Sequence, residues 1–140
     1  MNRLARSLGS ALVATFAVCA TSGESAAPPA AAGQQAYARH CLTCHQADGY
    51  GVPNLQPAIT GGSWVQGEVQ ALALFVLTGG FNSAERKDGE SHNVMPAFRH
   101  LADEELAQIL TYIRQQFGKG ASPVSAADVA GARATLPAAP

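Results

Sequence analysis

The sequence predicts an all-α domain, on three observations. No segment alternates apolar and polar residues with the period of two that a half-buried strand requires. Asp103 to Phe117 carries Leu106, Ile109, Leu110, Ile113 and Phe117 as a stripe at helical spacing. Glu68 to Thr78, "EVQALALFVLT", is apolar on nearly all sides and is followed by Gly79 and Gly80, as befits a buried helix with a glycine stop. The length of 140 residues suits one domain. With 47% hydrophobic and 14% charged residues the chain is too apolar to be disordered, and glycine and proline break it too often for a membrane bundle. Nine scattered Lys and Arg and a formal net charge of -1 give no basic face for nucleic acid.

Residues 1–20 read as a secretory leader. Arg3 and Arg6 precede Leu8 to Ala20, an apolar run of thirteen residues that is too short to span a bilayer and ends in small side chains. Cleavage after Ala20 fits best, which would remove Cys19. Lipid attachment at Cys19 is the alternative, disfavoured by Val18, and an uncleaved anchor is a third. The leader takes Arg3 and Arg6 with it, so seven basic residues remain against ten acidic ones, a charge of about -3. Thr21 to Ala32, rich in alanine and proline, reads as a flexible linker.

A helical pattern starts at Gly33 and runs through "GQQAYARHCLTCH". Tyr37, Cys41, Cys44 and His45 fall at i, i+4, i+7 and i+8, which is one helical face. Gln46 to Trp64 is a glycine- and proline-rich irregular loop, of a length that usually wraps something. Phe81 to Asn93 is polar and reads as exposed, with the sign-alternating run Glu85 to Glu90 as a solvated loop. Asp103, Glu104 and Glu105 suit the positive start of the helix that ends at Gly118. Ser125 with Asp128 has the form of a capping box opening a short last helix. The resulting organisation is a core domain over residues 33–118 and a C-terminal extension over 119–140. Two good helices form a thin core, and a large apolar cofactor would supply the missing interior.

Cys41, Cys44 and His45 form Cys-x-x-Cys-His, the attachment signature for c-type haem. On a helix both sulfurs face one edge of the porphyrin, and the adjacent imidazole comes up beneath the iron. The competing readings are a thiol–disulfide active site, half of a zinc site, and a plain disulfide in an oxidising compartment. The first belongs with a βαβ pattern and the second needs another ligand pair, and neither is present. Once Met1 leaves with the leader, Met95 is the one thioether remaining, in "NVMPAF" just before the long helix. Iron held by His45 on one side and Met95 on the other is the electron-transfer arrangement. His92 is a competitor for that iron, though a solvated loop residue is the simpler reading, and His40 and His100 read as surface residues. Trp64 suits packing against the ring better than a hydrogen bond to a propionate.

These features resemble the class I monohaem cytochromes c over about Gly33 to Phe117. The similarity is greatest to bacterial periplasmic members serving dehydrogenases and oxidases, in "YARHCLTCHQADGYGVP" and "MPAFRHLADEELAQILTYIR". The resemblance implies a small cytochrome c fold: three core helices around one haem c bound through Cys41 and Cys44, long irregular loops and a short C-terminal helix. It implies a close crossing of the first and last core helices through Gly33 and Tyr37 against Ile109 and Tyr112. It implies a proline carbonyl, Pro57 or alternatively Pro53, accepting from the ligand imidazole. Ile59 and Trp64 complete the expected cofactor-binding set. Where relatives often carry a capping serine this chain has Ala102, and Asp103 is expected to cap instead. The tail "SPVSAADVAGARATL" resembles the extension of dehydrogenase-associated members.

The function this implies is one-electron transfer in the periplasm between a dehydrogenase and another cytochrome or a terminal oxidase, with no catalytic residues, no nucleic acid and no membrane span. A small haem enzyme or gas sensor, with a displaceable sixth ligand, is the alternative.

Overall fold

The computed structural model describes residues 29–80 and 94–137. The leader with Cys19, most of the Thr21–Ala32 stretch, and Phe81 to Asn93 with His92 lie outside the described residues. Six helices follow in order: α1 Pro29–His40, α2 Leu42–His45, α3 Ser63–Gln66, α4 Val69–Thr78, α5 Asp103–Phe117 and α6 Ala126–Ala134. Among the described residues the one extended pairing is an isolated bridge between Val52 and Gln56.

The centre of the fold is the crossing of α1 and α5. Gly33 makes it possible: a Cβ there would run into the Gln108 carbonyl oxygen and stand 3.0 Å from Tyr112 Cβ. The two backbones meet where glycine gives them room. Below the crossing, the Tyr37 ring lies 5.3 Å from that of Tyr112 and 5.5 Å from that of Phe117, both tilted. Ala36, Leu106, Ile109 and Leu110 fill the remaining space, each essentially inaccessible to solvent. Polar contacts bridge the same pair of helices, since the Glu105 carboxylate accepts from Arg39 at 2.8 Å and lies 3.2 Å from His40. Those two contacts hold the Glu105 carboxyl below its ordinary range.

The α4 helix buries Leu72, Ala73, Val76 and Leu77. It ends in a Schellman turn: Gly79 is left-handed (φ 86°), its N–H donates to the Val76 carbonyl, and the Gly80 N–H donates to the Phe75 carbonyl at 2.7 Å. The α6 helix lies across α4 and α5 and buries Val129 and Ala132. Its start is the expected capping box, with Ser125 and Asp128 satisfying each other's backbone N–H groups.

Four expectations need correcting. Helix α1 begins at Pro29 and takes in the last four residues of the expected linker. Cys41 (φ -124°, ψ -31°) interrupts the helix, so the motif occupies a separate single turn, although hydrogen bonds run on through the break. Asp103 does not cap α5; Ala102 holds the cap position, and the Asp103 carboxylate accepts from Arg133 Nε at 2.7 Å. His40 is no free surface residue, because beyond Glu105 it meets the Phe98 ring edge-on at 6.3 Å. The loop after α2 also carries an unforeseen element, the short helix α3.

Arg114 is the one buried charged residue described, at 3% exposure. Its guanidinium donates to the carbonyls of Val65, Gly67 and Ser122 and to Ser122 Oγ, over 2.7 to 3.2 Å. One side chain thus fastens α3, α5 and the segment leading to α6, and its donors are spent on neutral acceptors.

Candidate functional site

The turn that carries the two cysteines is held from both ends. At its start the Cys41 N–H donates to the Tyr37 carbonyl at 2.8 Å. At its exit Gln46 takes a positive φ of 62°, and Tyr37 Oη donates to the Gln46 carbonyl at 2.7 Å. Tyr37 therefore both packs the helix crossing and pins the chain where it leaves the motif. Burial of that hydroxyl pushes its pKa upward, with the nearby Cys41 adding to the effect. Cys41 is half-buried and Cys44 exposed, both as free thiols. Burial, and then repulsion from Cys44, push the Cys41 thiol up to about 12. A thiol raised this far stays protonated near neutral pH and is itself a poor nucleophile.

His45 Nδ1 is buried and lacks a hydrogen bond of good geometry. The Pro57 carbonyl is nevertheless close enough to act on the ring: it raises the imidazole pKa, while burial, the larger influence, lowers it. The net shift favours the neutral imidazole, which is the form that binds a metal. The loop is shaped to bring Pro57 there. The His45 carbonyl accepts from the Gly51 N–H, and a side chain at Gly51 (φ 67°) would strike the Gln56 carbonyl and come within 2.9 Å of the Pro57 carbonyl. Gly49 (φ 71°) lets the Ile59 and Thr60 N–H groups reach its carbonyl, and it sits against the Phe117 ring. Ile59 is half-buried against the core.

Met95 is half-buried and packs on the same core. Its sulfur faces the glycine turn after α4, 3.5 Å from where a Gly80 Cβ would stand, and its carbonyl lies against Gly79. Phe98, three residues on, is buried, donates its N–H to the Val76 carbonyl and meets His40 at the end of α1. The Met95 segment and the cysteine turn thus converge through the His40–Phe98 contact. Trp64 on α3 is 40% exposed and stacks on Phe75, ring centroids 4.7 Å apart and planes 26° from parallel. Leu55, Tyr50 and Val94 are also exposed large apolar residues.

This donor set fits a haem. Two thiols share one turn with an imidazole that has a buried Nδ1 and lies beside the Pro57 carbonyl, a thioether sits in a neighbouring irregular segment, and large apolar side chains are left exposed at Tyr50, Leu55, Trp64 and Val94. Among the described residues no cluster of three His, Cys, Asp or Glu is disposed to hold a bare metal ion. Sequence reasoning missed Phe75, Arg114 and Arg133. Only Arg114 left a trace, since it continues the buried spacing of Leu106 and Leu110.

Comparison with known proteins gives the same answer by a separate route. The family model described as Cytochrome c matches residues 30–117. The chain is 35% identical to the cytochrome c subunit of a quinone alcohol dehydrogenase from Gluconobacter oxydans, over 74% of this chain and 22% of that protein. It is 34% identical to cytochrome c-552 of Thermus thermophilus, over 73% of this chain and 84% of that one. The gluconate 2-dehydrogenase cytochrome c subunit of Pantoea cypripedii is 33% identical over 72% of this chain. The match spans under a quarter of each dehydrogenase subunit.

Proposed function

The chain belongs to the cytochrome c family, an electron carrier with covalently bound haem c, and on that premise we propose that it works in the periplasm with His45 and Met95 as the residues that would hold the iron. The haem, when bound, supplies a one-electron iron couple. Cys41 and Cys44 would fix the ring to the turn between α1 and the loop. Burial favours the neutral imidazole, and the Pro57 carbonyl beside the ring would accept from one ring nitrogen and leave the other for the iron. Met95, whose sulfur packs beside the glycine turn after α4, would supply the second iron ligand. Anchoring at Tyr37, Phe98 and Arg114 makes the frame rigid, so little has to move as the charge changes. The observation that carries this reading is His45, an imidazole with a buried Nδ1 and the Pro57 carbonyl close to its ring, directly after the two thiols. The reduced protein should leave CO unbound on mixing, because His45 and Met95 would both occupy the iron. Rapid CO binding would mean an open iron and would favour the gas-sensor reading instead.

The leader motif supports export, and the dehydrogenase-subunit relatives support a periplasmic dehydrogenase as electron donor, with another cytochrome or a terminal oxidase as acceptor. Among the described residues no helix is long and apolar enough to cross a membrane. Docking would use apolar surface. The whole chain has only Lys87 and Lys119 as lysines, too few for a steering ring, whereas Cys44, Val94, Pro96 and Ala97 are exposed. Apolar contacts are weakly screened, so electron-transfer rates with the cognate dehydrogenase should change little with ionic strength. A fall of more than about tenfold between low and high salt in stopped-flow measurements would reveal charge steering and refute this docking mode.

A further inference from the structure

The segment Val94 to Ala102 carries Met95 and has no helix or strand of its own. Its position must come from outside contacts. One of these is the bond from the Phe98 N–H to the Val76 carbonyl. The densest among the described residues is a single side chain on the last turn of α6. Arg133 donates from Nη1 to the Arg99 carbonyl at 2.6 Å, from Nη2 to the Leu101 carbonyl at 2.7 Å, and from Nε to the Asp103 carboxylate at 2.7 Å. Those acceptors lie four, six and eight residues beyond Met95 and span the whole passage from the loop into α5. A guanidinium suits this because its donors form a fixed fork. We propose that Arg133 is the positioning residue for Met95: the C-terminal extension acts as a brace that keeps the thioether seated.

The proposal rests on Met95 being an axial ligand. It does not rest on Arg133 holding α6 in place, because α6 has separate anchors. Val129 and Ala132 are buried, Thr111 Oγ1 and Val124 exchange two hydrogen bonds, and Arg114 binds Ser122. Removing the fork should leave the helices packed and loosen only the segment that Arg133 grips, as a local opening. The Asp103 pair is half-exposed and contributes little by itself. The effect should therefore follow the two carbonyls and not the ion pair.

Imidazole titration of the oxidised holoprotein reads this opening, because imidazole binds only when the thioether leaves. Arg133→Ala should bind imidazole about tenfold more tightly than wild type, the scale of losing one charge-assisted hydrogen bond. Asp103→Asn should differ from wild type by less than about twofold, as a weak exposed pair implies, and Arg133→Lys, which keeps the charge without the fork, should fall between the two. Hydrogen exchange gives a reading independent of the iron: the Phe98 and Leu101 amides should exchange faster in Arg133→Ala while α5 amides keep their protection. If Arg133→Ala fails to fold, Arg133→Gln carries the same comparison. Wild-type imidazole affinity in Arg133→Ala, or equal loss of protection throughout the protein, overturns the brace. Met95→Ala separates the two ideas: if it leaves the oxidised spectrum and imidazole affinity unchanged, the ligand assignment itself has failed.

Discussion

Met95→Ala should abolish the far-red sulfur-to-iron absorption of the oxidised protein and open the reduced protein to CO. Alanine has no atom to offer the iron, and the described histidines are poor substitutes. His40 is engaged by Glu105 and Phe98, while His100 is exposed against the Phe98 ring. His92 lies outside the described residues and is the ligand to test by double substitution. The stability cost should be modest, about 1 to 2 kcal/mol, below the usual range for a fully buried methionine because this one is half-exposed. The functional loss should therefore be far larger than the loss of stability. An unchanged spectrum in Met95→Ala, with a changed one in His92→Ala, would replace the assignment with a pair of histidines.

Gly33→Val should be the most damaging single change to the fold. The added carbon atoms would meet the Gln108 carbonyl and Tyr112 Cβ, which are parts of a helix and cannot rotate aside. Parting α1 from α5 would loosen Tyr37, Ala36 and Ile109 together. A cost of about 3 kcal/mol or more is expected, a large share of a domain's total stability. Gly33→Ala settles the mechanism by its sign. In an unobstructed helix alanine stabilises by about 1 kcal/mol over glycine. Here it should destabilise, seen as a lower denaturant midpoint; a higher one would mean that the helices do not meet at this residue.

Much of this fold could be read from the sequence because its signals are local. The α5 helix shows its buried stripe and its glycine stop, α4 ends where Gly79 must turn left-handed, and the box at Ser125 and Asp128 starts α6. The first turn of α1 was missed because alanines and a proline offer no apolar stripe, although alanine is the best helix former. The α3 helix is only four residues long and sits in a glycine-rich loop. His40 was misread because its partner, Glu105, is 65 residues away. For the site, the cysteines and His45 announced themselves by spacing, whereas Pro57 and Pro53 look alike in sequence and the nearness of the Pro57 carbonyl to the His45 ring depends on how the loop folds. Arg133 gave no signal at all, since two of its three partners are backbone carbonyls and any residue supplies those.

Ser122, which provides two of the acceptors for the buried Arg114 guanidinium, comes after the segment that matches the family. A chain trimmed at that match would strand a cation in the interior with part of its hydrogen bonding gone, a cost of several kcal/mol. For anyone fusing this protein to an electrode tether or a second enzyme, the safe cutting point lies beyond α6. For folding, the same arithmetic ties the earlier helices to a residue outside the family match: until Ser122 reaches its place, the Arg114 guanidinium lacks two of its four hydrogen bonds.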